Sequence, residues 1–84
     1  MRVLVVEDER VARFIGRALA EVGFALDRCR DGNEALSLIS GTRFDAIILD
    51  VMLPGTDGLS VLKTLRSRSI STPVLMLMGS LLRL

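Results

Sequence analysis

Three carboxylates stand at positions where they could act together on a metal ion. Glu7 and Asp8 directly follow the apolar run Val3–Val6, and Asp50 directly follows a second apolar run, Ala46–Leu49. Each run is typical of a strand that is buried on both faces of a parallel sheet. Ligands of open parallel sheets bind beyond the carboxyl ends of the strands. If these two strands are neighbours, the three acids converge at one edge of the sheet.

Converging carboxylates repel one another, and a hard divalent cation relieves that repulsion. Mg²⁺ takes oxygen ligands, typically one or two carboxylates together with water and phosphate oxygens. The other interpretation is that the acids are only solvated strand ends, because acidic residues are common at such positions. The spacing alone leaves both interpretations open.

Strands and helices alternate along the chain and must bring these acids together. Strands are predicted over residues 3–6, 24–29, 44–50 and 74–78, and helices over residues 10–22, from Asp31 or Asn33 to Gly41, and across residues 59–65. The strand over residues 24–29 is expected near a sheet edge because it carries charged residues. The alternating order predicts a parallel sheet with helices on both faces and right-handed crossovers.

Apolar residues at helical spacing predict which side of each helix is buried, and Gly23 is expected to end the first helix. The predicted inward residues are Val11, Ile15, Ala18 and Val22 in the first helix, Ala35, Leu36 and Ile39 in the second, and Leu59, Val61, Leu62 and Leu65 in the third.

Composition narrows the possible functions. The chain has 84 residues, so it amounts to one domain or less, and its net charge of +1 favours neither nucleic acid nor an acidic partner. It contains no histidine, which excludes histidine-based acid–base chemistry and most zinc sites. The single Cys29 suits a reducing compartment, and no apolar run reaches the length of a membrane span. We therefore expect a cytoplasmic protein that binds neither nucleic acid nor membranes.

Several motifs occur together in the order and setting of a known family. The combined pattern resembles the receiver domain of bacterial two-component response regulators, and its middle segment is most similar to receivers of winged-helix transcription factors. The resemblance covers Met1 to about Leu77 and is specific only as a combination. The motifs are Glu7-Asp8, Asp50, Met52-Leu53-Pro54-Gly55, Asp57-Gly58 and the run from Thr72 to Leu77.

The resemblance implies an α/β, flavodoxin-like parallel sheet of strand order 2-1-3-4 with three helices. The family's fifth strand and fifth helix have no counterpart, so residues 1–78 are expected to form a truncated receiver domain and residues 79–84 a tail outside the family pattern. The implied function is that of a two-component signalling module rather than an enzyme.

The resemblance also implies a role for each residue of the acidic cluster. Asp50 would accept a phosphoryl group from a partner sensor histidine kinase. Asp8 would be the main ligand of Mg²⁺ or Mn²⁺, Glu7 would act partly through water, and the backbone carbonyl of Met52 would complete the site. We expect this binding to be weak.

Two departures from the family pattern predict impaired switching. The family places Ser or Thr at the end of its fourth strand, whereas this chain has Met78, which has no donor for a phosphoryl oxygen. Ser80 would substitute only if the strand register shifted by two residues. The family's fifth strand supplies a lysine, but the only lysine here is Lys63, in the third predicted helix.

Other uses of the acidic cluster disagree with the sequence. Haloacid-dehalogenase-type phosphatases need a second acid two residues after the nucleophile, where this chain has Met52. A nucleotide-binding loop needs glycines after the first strand, where Glu7-Asp8-Glu9 stands instead.

A second functional class remains open beside the signalling module. The chain would then be a receiver remnant that is not phosphorylated and acts only through self-association or another interaction. The strand over residues 74–78 is apolar throughout and would form an unprotected sheet edge. We therefore expect a homodimer formed through Val74–Leu84.

Overall fold

Apolar runs and amphipathic segments fold as alternating strands and helices. A computed structural model describes residues 1–7, 9–53 and 55–77, with residues 9–12 described by their backbone. Within these ranges, no helix is long and apolar enough to cross a membrane. The elements are β1 (Arg2–Val6), α1 (Glu9–Glu21), β2 (Ala25–Cys29), α2 (Gly32–Gly41), β3 (Ala46–Asp50), α3 (Gly58–Ser67) and β4 (Val74–Leu77).

The four strands form one parallel sheet of order β2-β1-β3-β4. The predicted strand order and the placement of the 24–29 strand at a sheet edge are therefore confirmed. Three helices connect the strands of the described chain, as the sequence predicted. The division into a domain over residues 1–78 and a tail over 79–84 stays a prediction, because residues 78–84 lie outside the described ranges.

The sheet buries apolar side chains on both faces, and β1 and β3 are its inner strands. On one face, Val3 and Val5 pack with Ile15 and Leu19 of α1. The opposite face carries the larger core, in which the strand residues meet α2 and α3. Its fully buried members include Leu4, Val6, Ala35, Ile47, Leu49, Val61 and Leu65.

The first helix ends at a glycine, as predicted, but one turn of its expected apolar face is not buried. Gly23 has a positive φ of 88°, and the backbone N–H groups of Gly23 and Phe24 donate to the carbonyls of Ala20 and Leu19. These bonds form a glycine-terminated helix end. Val22 lies beyond Glu21, where helical spacing no longer sets its direction, and it is 65% exposed. Ala18 is exposed too, so its predicted burial is wrong.

At the beginning of the third helix, too, one residue that was predicted to be buried is exposed. Val61 and Leu65 are buried and Leu62 is partly buried, as predicted, whereas Leu59 is 53% exposed. At about 100° per residue, Leu59 lies roughly 160° around the helix from Val61 and so faces away from the core.

Cys29 is the last residue of β2 and lies in the larger core. Its side chain is buried, and its carbonyl oxygen accepts the backbone N–H of Glu7 at 3.1 Å. Burial, with a smaller contribution from the negative charge of Glu34, raises the pKa of the Cys29 thiol from 9.0 to about 11. The thiol therefore stays protonated at neutral pH.

We expect Cys29 to resist alkylation in the folded chain. A shift of two pKa units leaves about 100-fold less thiolate at neutral pH than in an ordinary cysteine, and burial slows access further. Iodoacetamide labelling followed by intact mass should be at least about 100-fold slower in buffer than in concentrated urea, with the native rate still rising above pH 10. Equal rates in the two solvents would contradict a buried, protonated thiol.

Candidate functional site

The strand register places two of the predicted site residues side by side. Val6 of β1 is paired with Leu49 of β3, so Glu7 and Asp50 occupy the next positions on adjacent strands. Neighbouring strands lie about 4.8 Å apart. Both side chains are buried, with 1% of Glu7 and 3% of Asp50 exposed. The prediction that these strands are neighbours is confirmed, whereas Asp8 lies outside the described residues.

The two acids also share one face of the sheet. Side chains alternate between faces along a strand. Glu7 therefore lies on the same face as Val5, and Asp50 lies on the same face as Ile48. Val5 and Ile48 both belong to the apolar layer under α1. Two carboxylates thus leave the same edge of the sheet on the same side.

Backbone hydrogen bonds hold the carboxyl end of β3 and the chain that follows it. The Oδ1 atom of Asp50 accepts the backbone N–H of Met52 at 2.9 Å. The N–H of Val51 donates to the carbonyl of Leu77 at 2.9 Å, and the carbonyl of Val51 accepts from the N–H of Gly58 at 3.0 Å. The Asp50 carboxylate is oriented by its own loop, while β4 and α3 fix that loop from two sides.

Close backbone packing explains why glycine occupies the first position of α3. A Cβ atom at Gly58 would overlap the carbonyl oxygen of Asp50. The same holds for Gly32 at the start of α2, where a Cβ atom would overlap the carbonyl oxygen of Thr56. Two helix starts are therefore pressed against the loop that follows β3.

Each of these glycines follows an aspartate that caps its helix. Asp31 accepts the backbone N–H of Asn33 at 2.7 Å, and Asp57 accepts that of Ser60 at 2.9 Å. The hydroxyl of Thr56 donates to the Oδ1 atom of Asn33 at 2.6 Å and ties the loop to α2. The sequence offered Asp31 as a possible start of the second helix and Asp57-Gly58 as a family motif, but it did not show that both helix starts pack against the loop after Asp50.

The predicted metal site is described only in part. Its described members are Glu7, Asp50 and the carbonyl of Met52, the residue whose own N–H donates to the Asp50 carboxylate. Among residues 1–7, 9–53 and 55–77, no group of three or more His, Cys, Asp or Glu side chains is placed to hold a metal ion. Because Asp8 is outside these ranges, the four-ligand site stays a prediction.

The family pattern also calls for a lysine and a hydroxyl beside the acidic cluster. Lys63 lies in the middle of α3 with an exposed side chain, in the element where the sequence placed it. Met78 and Ser80 lie outside the described residues, so the predicted loss of the hydroxyl contact stays a prediction.

Comparison with known proteins agrees on one family. Residues 3–80 match the family model of the response regulator receiver domain. The transcriptional regulatory protein TcrA of Mycobacterium tuberculosis is 47% identical over 78 residues, which is 92% of this chain and 31% of TcrA. The chain thus spans about a third of the length of the curated relatives it matches.

Solved structures show the same likeness. The receiver domain of the Francisella response regulator 1452 superposes with a TM-score of 0.86 at 42% identity, covering 89% of this chain and 63% of that one. The response regulator TrrA of Thermotoga maritima, solved in complex with Mg²⁺-BeF, gives a TM-score of 0.81 at 32% identity over 87% of this chain and 64% of that one.

We expect Gly58→Ala to destabilise the chain and Gly41→Ala to leave it unharmed. The first substitution forces a methyl group against the Asp50 carbonyl, and overpacking of this kind costs about 1–3 kcal/mol. A Cβ atom at Gly41 meets nothing within 4 Å, so that variant is a matched control. Urea unfolding measures both, and equal unfolding free energies for the two variants would contradict the close contact.

Proposed function

The chain belongs to the response regulator receiver domain family, and we propose that it accepts a phosphoryl group on Asp50 in two-component signalling. The observation that carries the proposal is the buried Asp50 carboxylate, set in register beside Glu7 at the carboxyl edge of the sheet. A carboxylate acts as a nucleophile when it is positioned and its attack is supported electrostatically.

In the proposed reaction, an oxygen of Asp50 attacks the phosphorus of a phosphohistidine on a sensor kinase. The P–O bond to Asp50 forms as the P–N bond breaks, and the leaving nitrogen keeps the electron pair and takes up a proton. The hydrogen bond from Met52 engages Oδ1 and leaves Oδ2 as the attacking atom. The chain is the phosphoryl acceptor in this scheme and not an enzyme in its own right.

We propose that Glu7, Asp8, Asp50 and the Met52 carbonyl hold Mg²⁺ or Mn²⁺ weakly. The chemistry of the described donors fits such an ion, because they are carboxylate and carbonyl oxygens at one buried corner. A divalent cation at this corner would offset charge on the transferring phosphoryl group. The Mg²⁺-BeF complex of the related TrrA supports this choice of ion.

We further propose that switching is impaired. Lys63 is exposed on α3, and Met78 stands where the family has a hydroxyl, so neither residue supplies the contact that reads the phosphoryl group. Phosphoryl transfer depends on positioning and charge stabilisation, and each lost electrostatic contact costs about 10²–10³ in rate. We place this activity in the cytoplasm, where a single free Cys29 suits the reducing conditions.

The second candidate is a receiver remnant that acts only by association. It is favoured by the apolar outer edge of β4, on which Leu75 is 60% exposed. Phosphorylation separates the two candidates, because only the first requires a product on Asp50.

We expect a small-molecule phosphodonor with Mg²⁺ to phosphorylate Asp50 slowly, with little product after minutes. Intact mass should show one added phosphoryl group in the unchanged chain and in Asp57→Asn, which retains a capping side chain in the same loop. Asp50→Asn should show none.

A mass gain that persists in Asp50→Asn would overturn the choice of acceptor. Complete modification within minutes, with large changes in the backbone NMR spectrum, would overturn impaired switching. No product after prolonged incubation would reject the acceptor function and favour the associating remnant.

A further inference from the structure

The loop between β3 and α3 rests on the start of α2. Backbone packing brings the two segments together, because a Cβ atom at Gly32 would overlap the carbonyl oxygen of Thr56. The carboxylate of Asp31 lies against the same loop, since a Cβ atom at Gly55 would meet its Oδ2 atom at 2.8 Å. The position of the loop therefore depends on a helix that carries none of the acidic cluster.

A side-chain hydrogen bond joins the same two segments. The hydroxyl of Thr56 donates to the Oδ1 atom of Asn33 at 2.6 Å. The backbone N–H of Asn33 donates in turn to the Asp31 carboxylate at 2.7 Å, so the acceptor side chain stands on a capped helix end. Asn33 is exposed and Thr56 is half-buried. The bond can therefore be removed without opening a cavity in the core.

The loop carries this support to the carboxylate of Asp50. Its base is closed by the hydrogen bond from the N–H of Gly58 to the carbonyl of Val51 at 3.0 Å. Inside that closure, the N–H of Met52 donates to the Oδ1 atom of Asp50 at 2.9 Å. A short loop that is closed at its base has few free backbone dihedral angles. Fixing Thr56 therefore narrows the positions that are open to the Met52 N–H.

We infer that Asn33, through the hydroxyl of Thr56, is a positioning residue for phosphoryl transfer to Asp50. The inference rests on the proposed function. Asn33 does not touch the phosphoryl group in this scheme. It acts by keeping the Met52 N–H on Oδ1, which leaves Oδ2 in place for attack. Such an effect on rate is expected because phosphoryl transfer depends chiefly on positioning and electrostatic stabilisation.

Single and double variants test the inference, with acetyl phosphate and Mg²⁺ as the phosphorylating mixture. Asn33→Ala and Thr56→Val each delete the hydrogen bond, and each should slow the initial gain of mass about 3- to 10-fold, as expected for the net loss of one hydrogen bond. The double variant should be no slower than either single variant, because both substitutions remove the same interaction.

Two further variants serve as controls. Thr56→Ser retains the hydroxyl and should retain the rate. Ser37→Ala removes an exposed hydroxyl one turn further along α2 and should also leave the rate unchanged. Urea unfolding establishes that each variant is folded under the assay conditions, so that a lower rate reports on the site and not on a loss of folded protein.

A second measurement does not depend on phosphorylation. In ¹⁵N-labelled protein, the amide signal of Met52 reports its hydrogen bond to Asp50. This signal should shift, and its hydrogen exchange with solvent should quicken, in Asn33→Ala and in Thr56→Val. Neither change is expected in Thr56→Ser or Ser37→Ala.

The outcomes separate this inference from the proposed function. A chain that gains no mass would overturn the proposed function, and the positioning role would fall with it. If the chain is phosphorylated, equal rates in folded Asn33→Ala and Thr56→Val would overturn the positioning role alone. Additive effects of the two substitutions, or a Met52 amide signal that stays unchanged in both variants, would do the same.

Discussion

The parallel register of β1 and β3 places two buried carboxylates side by side, and the other features of the site depend on this arrangement. Glu7 and Asp50 follow the paired residues Val6 and Leu49, and almost none of either side chain reaches solvent. Buried charge is costly unless it is paired, hydrogen-bonded or bound to a metal ion. This juxtaposition is the basis of our proposal that the sheet edge holds a divalent cation and accepts a phosphoryl group.

The surrounding elements pack closely against the loop that follows Asp50. α3 begins against the Asp50 carbonyl, and only glycine fits at position 58. α2 begins against the Thr56 carbonyl, where only glycine fits at position 32. β4 reaches the same loop through the bond between Val51 and Leu77. The last described residue of β4 therefore also holds the loop that follows Asp50.

Much of this arrangement was predictable because its signals are local. The buried runs in β1 and β3, the helix stop at Gly23 and the edge placement of β2 all followed from residue type and spacing. The errors at Val22 and Leu59 arose because helical spacing was extended past a helix end at Val22 and assigned to the wrong side of a helix at Leu59. The contacts of Gly32 and Gly58 were not predictable, because they depend on how distant backbone segments approach each other in the folded chain.

Urea unfolding of the chain and of Asp50→Asn, with and without Mg²⁺, tests our proposal that a cation binds between Glu7 and Asp50. Asparagine retains an oxygen for the Met52 N–H while removing one buried charge. We expect Asp50→Asn to be more stable than the unchanged chain without Mg²⁺, and Mg²⁺ to stabilise the unchanged chain but not the variant. A variant that is less stable without Mg²⁺, together with equal effects of Mg²⁺ on both proteins, would contradict it.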